Sequence, residues 1–341
     1  MSALQGLAEL PIVGAPLAGG PSTPALAAAI SDAGGLGFLA AGYKAAAAVE
    51  DDLDALRSLT ARPVGLNLFY PTRDAVDDAA LAGYVERMRE EGERYGVEPG
   101  EPRWTDDDWT AKLELAARRR PDVVSFTFGC PERDVVEWLR ESGCRIWCTV
   151  TSAAEARGAT EAGVDALVVQ GAEAGGHQGT FEDRGQDPVP LAALLDEVAR
   201  TTAVPLVAAG GIASGIDIVA ALAAGASAVA LGSALLLADE AGTSQPHREA
   251  MKADGTTRLT RAFTGRRARG IVNRFMEDHD PFAPRGYPEV HYLTAPIRAA
   301  ARSAGDAEGI NLWAGTGYRQ VREGSAGELV ERWASELAAT R

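Results

Sequence analysis

The chain has 341 residues, 46% of them hydrophobic and 24% charged, with a formal net charge of -15. That is a soluble globular balance, long enough for one large barrel or two ordinary domains. The acidic excess argues against nucleic acid or an anionic membrane surface as the main partner, but not against a small anion in a local pocket.

Ile12 to Ala15 is a short apolar run followed by Pro16-Leu17-Ala18-Gly19-Gly20. Ser22 or Thr23 can cap the next helix, with Pro24 in its first turn, and Gly34-Gly35 stops it. Leu36 to Ala40 is the second predicted strand, and an Ala-rich helix spans about Lys44 to Leu59. Val64 to Phe69 is the third strand, with Asn67 and Phe69 on one side by the period of two. Asp74 to Arg120 predicts two charged helices with an irregular connection near Val97 to Asp108. Val123 to Phe128 is the fourth strand, Glu132 to Glu141 a helix, Arg145 to Thr149 the fifth strand and Ser152 to Ala162 a helix. Ala166 to Val169 is the sixth strand, ending on Gln170. A loop holding Gly171, Glu173, Gly175, Gly176, His177 and Gly179 comes next. Leu191 to Thr201 is a helix, Pro205 to Ala209 the seventh strand, Gly215 to Ala224 a helix and Ala228 to Leu231 the eighth strand.

Strands alternating with helices imply parallel pairing, and eight even rounds imply an α/β fold of the closed (β/α)8 TIM-barrel type. A doubly wound open sheet is the rival. The barrel is expected over 1–240. Gln245 to Gly309 breaks the pattern and shows no clear strand, so 241–315 is expected to be a smaller, mostly helical substrate or lid region over the barrel mouth. Gly324 to Thr340 predicts an amphipathic helix, Leu329, Val330, Trp333 and Leu337 on one face, returning to the barrel within 316–341. Ile218 to Ala238 is uncharged over the length of a membrane span. Gly225 and Gly232 interrupt it, so it is read as helix, turn, strand and helix start. No signal peptide is read, and Cys130, Cys144 and Cys148 form no disulfide framework, which suits a reducing cytoplasm.

Barrel enzymes place chemistry at the C-terminal strand ends, with a phosphate site often after strands seven and eight. Here those ends are Ala209-Gly210-Gly211-Ile212 and Ala230-Leu231-Gly232-Ser233. Both put glycine amides beside a helix N-terminus, which favours an anion; the plainer alternative is that the glycines only end the strands. Asn67 and Gln170 can serve the polar edge of a planar ring. Pro16, Leu17 and the glycines after Gln170 can approach its faces. A phosphate at one side and a hydrogen-bonding ring at the centre fit flavin mononucleotide (FMN). For Asn67 the alternative is an amide knitting adjacent loops.

His177 is the acid/base candidate, because a neutral imidazole accepts a proton near physiological pH; the alternative is a loop histidine bonded to backbone. His247 and His291 lack partners at metal-ligand spacing, and Asp278-His279-Asp280 reads as a solvated loop rather than a metal site. The Arg266-Arg267-Ala268-Arg269 cluster reads by default as a solvated face or interdomain contact. Its bolder reading is a patch that steers an anionic substrate.

With these residues in view, the chain resembles the nitronate monooxygenase family. The likeness is carried by Pro11 to Gly20, Gly65 to Phe69, Val124 to Gly129, Gln170 to His177, Ala208 to Ile212, Leu231 to Ser233 and Asn311 to Gly315. The resemblance implies non-covalent FMN on Asn67, Gln170, Gly175, Gly211 and Ala230 to Ser233, with His177 as active-site histidine. It implies oxidation of an alkyl nitronate or nitroalkane by O2 to a carbonyl compound and nitrite. Ala230 stands where many members carry Gln, Leu17 where Met is common, and Gln178 where a basic residue is frequent. The alternatives are an NAD(P)H-dependent FMN reductase of the enoyl-acyl-carrier-protein or quinone type, or a non-catalytic flavin-binding protein. Oligomeric state is not legible.

Overall fold

The computed structural model describes residues 2–73 and 76–339. The predicted helical region starting at Asp74 and the predicted helix end at Thr340 thus have one boundary each outside the described residues. Strands β1 (Ile12–Gly14), β2 (Gly37–Ala40), β3 (Val64–Phe69), β4 (Val123–Thr127), β5 (Arg145–Val150) and β6 (Ala166–Gln170) come first. A two-residue strand, β7 (Gly176–His177), lies apart. β8 (Leu206–Ala209) and β9 (Ala228–Leu231) complete one eight-stranded sheet. Every pairing in it is parallel, in the order β1-β9-β8-β6-β5-β4-β3-β2. Val13 bridges Leu36 in parallel, just before β2, and closes the seam. The result is a (β/α)8 barrel and not an open sheet.

The helices between the strands are α1 (Pro24–Asp32), α2 (Ala46–Leu59), α3 (Asp78–Tyr95), α4 (Trp109–Arg119), α5 (Arg133–Glu141), α6 (Ala153–Ala162), α7 (Leu191–Ala199) and α8 (Gly215–Ala223), of which α3 packs through Tyr84 and Met88 on Phe263, Phe275 and Val290 rather than on the barrel. Their starts obey local chemistry. Thr23 caps α1 by accepting from the Leu26 amide at 3.0 Å, and Ser214 and Asp217 form a capping box on α8. The uncharged stretch before Ala238 resolves into α8, a turn, β9 and a short 3-10 turn. Among the described residues no helix is long and apolar enough to cross a membrane.

Alternation along the strands divides the core in two. Leu66, Leu68, Val124, Phe126, Ile146, Cys148, Leu167 and Val169 face the helices. Val13, Phe38, Val123, Trp147, Ala166, Val207 and Ala228 fill the barrel, closed below by Ala3, Leu4 and Leu7. Inward positions turn polar near the C-terminal ends, at Asn67, Ser125, Thr127, Thr149 and Gln170. Gly37 marks the tightest crossing of strand and helix. A Cβ there would lie 2.0 Å from the Ala27 carbonyl oxygen and 2.7 Å from its Cα. Backbone cannot yield as a side chain can, so Gly37→Ala is expected to lower unfolding free energy by about 3 kcal/mol. Urea unfolding at unchanged slope measures this.

Three further helices come after the barrel: α9 (Gln245–Lys252), α10 (Arg274–His279) and α11 (Glu289–Ser303). The structure corrects the strandless reading of this stretch. β10 (Thr257–Thr260) and β11 (Ala268–Ile271) pair antiparallel, and β11 also pairs with β7, setting Ala268 opposite His177. A four-residue strand carrying arginines shows no alternation by itself, and its partner is some ninety positions away in the chain. The last helix, α12 (Ala326–Ala339), buries Leu329, Val330, Trp333 and Leu337 against α1 and α8.

Candidate active site

A cavity of about 330 Å³ opens at the C-terminal ends of the barrel strands. Pro16, Leu17, Asn67, Gln170, Gly175, Gly176, His177, Gly210, Gly211, Ala230, Gly232 and Ser233 all line it. Leu231 does not. Its side chain is fully buried on the helix side of the barrel wall, as alternation from inward Ala230 requires.

The two amides are partly committed within the chain. Asn67 is buried, and its Nδ2 donates to Ser125 Oγ at 2.9 Å and Thr127 Oγ1 at 3.0 Å, leaving Oδ1 as the group that can accept from a ring. Gln170 Nε2 donates to the His177 carbonyl at 3.1 Å, and its Oε1 accepts from the Gly179 amide at 2.6 Å. Knitting therefore describes both residues, and Gln170 also shapes the loop that carries His177.

His177 is held on every side. Gln170 and β11 fix its backbone, and Phe128, Tyr287 and Trp313 place their ring centres 5.7, 5.6 and 5.6 Å from the imidazole. Nε2 lies 2.9 Å from Thr264 Oγ1. Burial pushes the imidazole pKa down to about 3, reinforced by the Arg266 and Arg298 cations and opposed by Asp183. The ring is neutral at physiological pH.

The opposite side of the cavity is backbone. Gly210 and Gly211 have φ of 117° and 73°, and among the described residues nothing in the chain accepts from their amides or from those of Gly232 and Ser233. Successive outward amides of this kind form an anion nest. Gly175 is packed backbone to backbone, since a Cβ there would sit 2.4 Å from the Gly315 nitrogen. Gly315 in turn donates to Ser233 Oγ at 2.8 Å. The Asn311 to Gly315 segment thus completes the rim. Free amides, an available amide oxygen and an imidazole lining one cavity fit a phosphate-bearing, hydrogen-bonding ring such as FMN.

Of the two default readings of the arginine cluster, a solvated face and an interdomain contact, the structure shows the contact, with the arginines reaching residues of the barrel region. Arg266 is fully buried, lies 4.2 Å above the Phe128 ring and donates to the Thr180 carbonyl. Arg267 pairs with buried Asp183 at 3.2 Å, and Arg269 Nε donates to the Ala172 carbonyl at 2.9 Å. His279 is likewise buried rather than solvated, 3.3 Å from Glu91. Among the described residues no group of three or more His, Cys, Asp or Glu side chains is placed to hold a metal ion.

Several lining residues carry no sequence signal. Tyr43 and Phe128 are aromatics at φ of 67° and 77°, conformations that composition does not reveal. Tyr43 stacks on His291 at 3.9 Å and accepts from Tyr287 Oη at 3.1 Å. His247 is buried at the cavity wall with Nε2 unpartnered among the described residues. Neither the helix that carries it nor its direction is read from the sequence.

Comparison with known proteins agrees with this geometry. The family model described as nitronate monooxygenase matches residues 1–336. A nitronate monooxygenase from Pseudomonas aeruginosa is 38% identical over 341 residues, covering 96% of each chain. The solved structure of a nitroalkane oxidase from Streptomyces ansochromogenes is 49% identical with a TM-score of 0.97, covering 100% of this chain and 99% of that one. The FabK structure from Thermotoga maritima is 25% identical with a TM-score of 0.78, covering 100% and 97%. A match along nearly the whole chain, on the barrel that builds this cavity, places the protein in the nitronate monooxygenase family.

Proposed function

We propose that the protein oxidises alkyl nitronates or nitroalkanes with O2 to a carbonyl compound and nitrite, using FMN held non-covalently at the barrel mouth. The observation that carries this reading is one cavity with an amide nest on one side and a caged neutral imidazole on the other. The family match and the nitroalkane oxidase likeness support it. FMN, when bound, supplies electron transfer between substrate and oxygen, which no side chain here provides. The amides of Gly210, Gly211, Gly232 and Ser233 would hold its phosphate. Asn67 Oδ1 and the Pro16-Leu17 backbone would hold its ring. His177 takes the α-proton of a neutral nitroalkane, with Phe128, Tyr287 and Trp313 packed around its ring. In this reading 1–240 is the FMN-binding barrel, 241–315 covers the substrate and 316–341 braces the wall.

The FabK likeness keeps a reductase reading in view. Anaerobic mixing decides between them. Ethyl nitronate is expected to bleach the flavin absorbance, and admitted air to release nitrite. Bleaching by NADH alone, with no nitrite from either nitro substrate, overturns the proposal. A flavin that neither donor reduces indicates a non-catalytic binder.

A further inference from the structure

We propose that Thr264 is a positioning residue that locks His177 as the Nε2–H tautomer and so presents bare Nδ1 to the substrate. The proposal deepens the function above and rests on it for its kinetic arm alone. A hydroxyl has one proton and two acceptor positions. Thr264 Oγ1 donates to the Arg266 carbonyl at 3.1 Å and takes a long contact from the Arg266 amide at 3.4 Å. Its remaining acceptor position meets His177 Nε2 at 2.9 Å. With the hydroxyl proton already placed, that contact is satisfied only when Nε2 carries hydrogen.

The turn that aims this hydroxyl is fixed. Gly265 has φ of 79°, and a Cβ on it would lie 2.3 Å from the Gly286 carbonyl oxygen. Thr264 is itself buried. The other ring nitrogen is in a different situation. Among the described residues, Nδ1 of His177 has no hydrogen-bond partner and is not among the buried polar atoms cut off from solvent, while the residue lines the cavity. The opposite tautomer would set two lone pairs against each other at Nε2, or strip the Arg266 carbonyl of its donor. Either leaves a buried polar group unsatisfied.

The consequence is a distinction between substrate forms. A bare Nδ1 accepts the α-proton of a neutral nitroalkane: the C–H bond breaks, the proton goes to Nδ1 and the electron pair remains on the nitronate. A preformed nitronate offers only acceptor oxygens and has no proton to give, so it does not need this tautomer. Thr264 therefore matters for the proton-transfer step and little for the oxidation of the nitronate once formed.

The experiment uses the FMN-loaded protein labelled with 15N-histidine. Four histidines are present, and His177 is assigned by its loss in His177→Ala. Wild type is expected to show Nε2 protonated and Nδ1 bare. Thr264→Val, which keeps the shape without an acceptor, is expected to lose that pattern, and Thr264→Ser to keep it. In parallel, Thr264→Val is expected to lower kcat/KM for nitroethane about a hundredfold, yet that for ethyl nitronate by no more than about threefold. Thr264→Ser is expected to recover nitroethane activity. A wild-type Nδ1–H tautomer, an unchanged tautomer in Thr264→Val, or equal losses on the two substrates overturns the proposal. Should wild type oxidise neither substrate, the function reading falls, and the nitrogen signals still decide the tautomer.

Discussion

His177→Ala is expected to lower kcat/KM for nitroethane by about 10²–10⁴-fold, the range that a positioned general base supplies. FMN affinity is expected to change by no more than about threefold, because the glycine loops that would hold the phosphate make no contact with this side chain. Oxygen consumption and flavin titration measure the two quantities separately. Activity retained within about tenfold of wild type would remove His177 from the chemistry. An imidazole with a pKa of about 3 is a weak base, so the charge that forms beside it matters. Proton transfer from a nitroalkane leaves an anion next to the ring, and that charge stabilises the imidazolium. Arg298 favours the same anion. Its guanidinium is buried and donates to Thr294 Oγ1, Asn311 Oδ1 and the His291 carbonyl, with no carboxylate partner among the described residues. The cations that disfavour a lone imidazolium thus favour the nitronate it forms with. The acid limb of kcat/KM should accordingly fall well below the ordinary imidazole range.

The barrel is legible in the sequence because each strand run ends in a residue that marks its mouth. Asn67, Thr127 and Gln170 are polar residues at the ends of buried apolar strands, and the period of two sends them inward. Gly210 and Gly232 are legible for the same reason. The same period sends the Leu231 side chain to the helices, between inward Ala230 and Gly232, so only its main chain is on offer to the site. Features that depend on distant pairing cannot be read this way. β7 exists because β11 lies beside it, and Thr264 reaches His177 across 87 positions. Arg266 looks like a surface residue until the Thr180 carbonyl and the Phe128 ring are seen to enclose it. Positive φ at Tyr43 and Phe128 is imposed by tertiary packing, and an aromatic residue, unlike glycine, does not announce such a backbone in sequence.

Stability is expected to fall as pH drops from about 6.5 toward 4.5, before the Glu91 contribution is lost. His177, His247 and His291 are all held below the ordinary imidazole pKa, His177 to about 3, His247 to about 4 and His291 well below. Burial is the first cause in each. For His247 the Trp313 backbone opposes it and Arg302 adds to it, while Arg298, His177 and Arg103 add to it at His291. A depressed folded-state pKa means that the unfolded chain binds more protons. The stabilisation is therefore complete above the unfolded value and is lost as pH falls toward the folded one. For buried His247 the loss approaches about 3 kcal/mol, a large part of the stability of an ordinary domain. The carboxylates act in a lower window. Burial pushes the Glu91 pKa up, but hydrogen bonds from His279 and Arg274 outweigh it and hold the group at about 2. Its contribution is present above about 4.5 and is lost only below that. Urea unfolding at pH 7, 6, 5 and 4 separates the two windows. His247→Gln is expected to flatten the decline between pH 6.5 and 4.5 without altering the steeper loss beneath it. An unchanged slope in that variant would show that His247 is protonated in the folded chain and that its burial at the cavity wall carries no acid sensitivity.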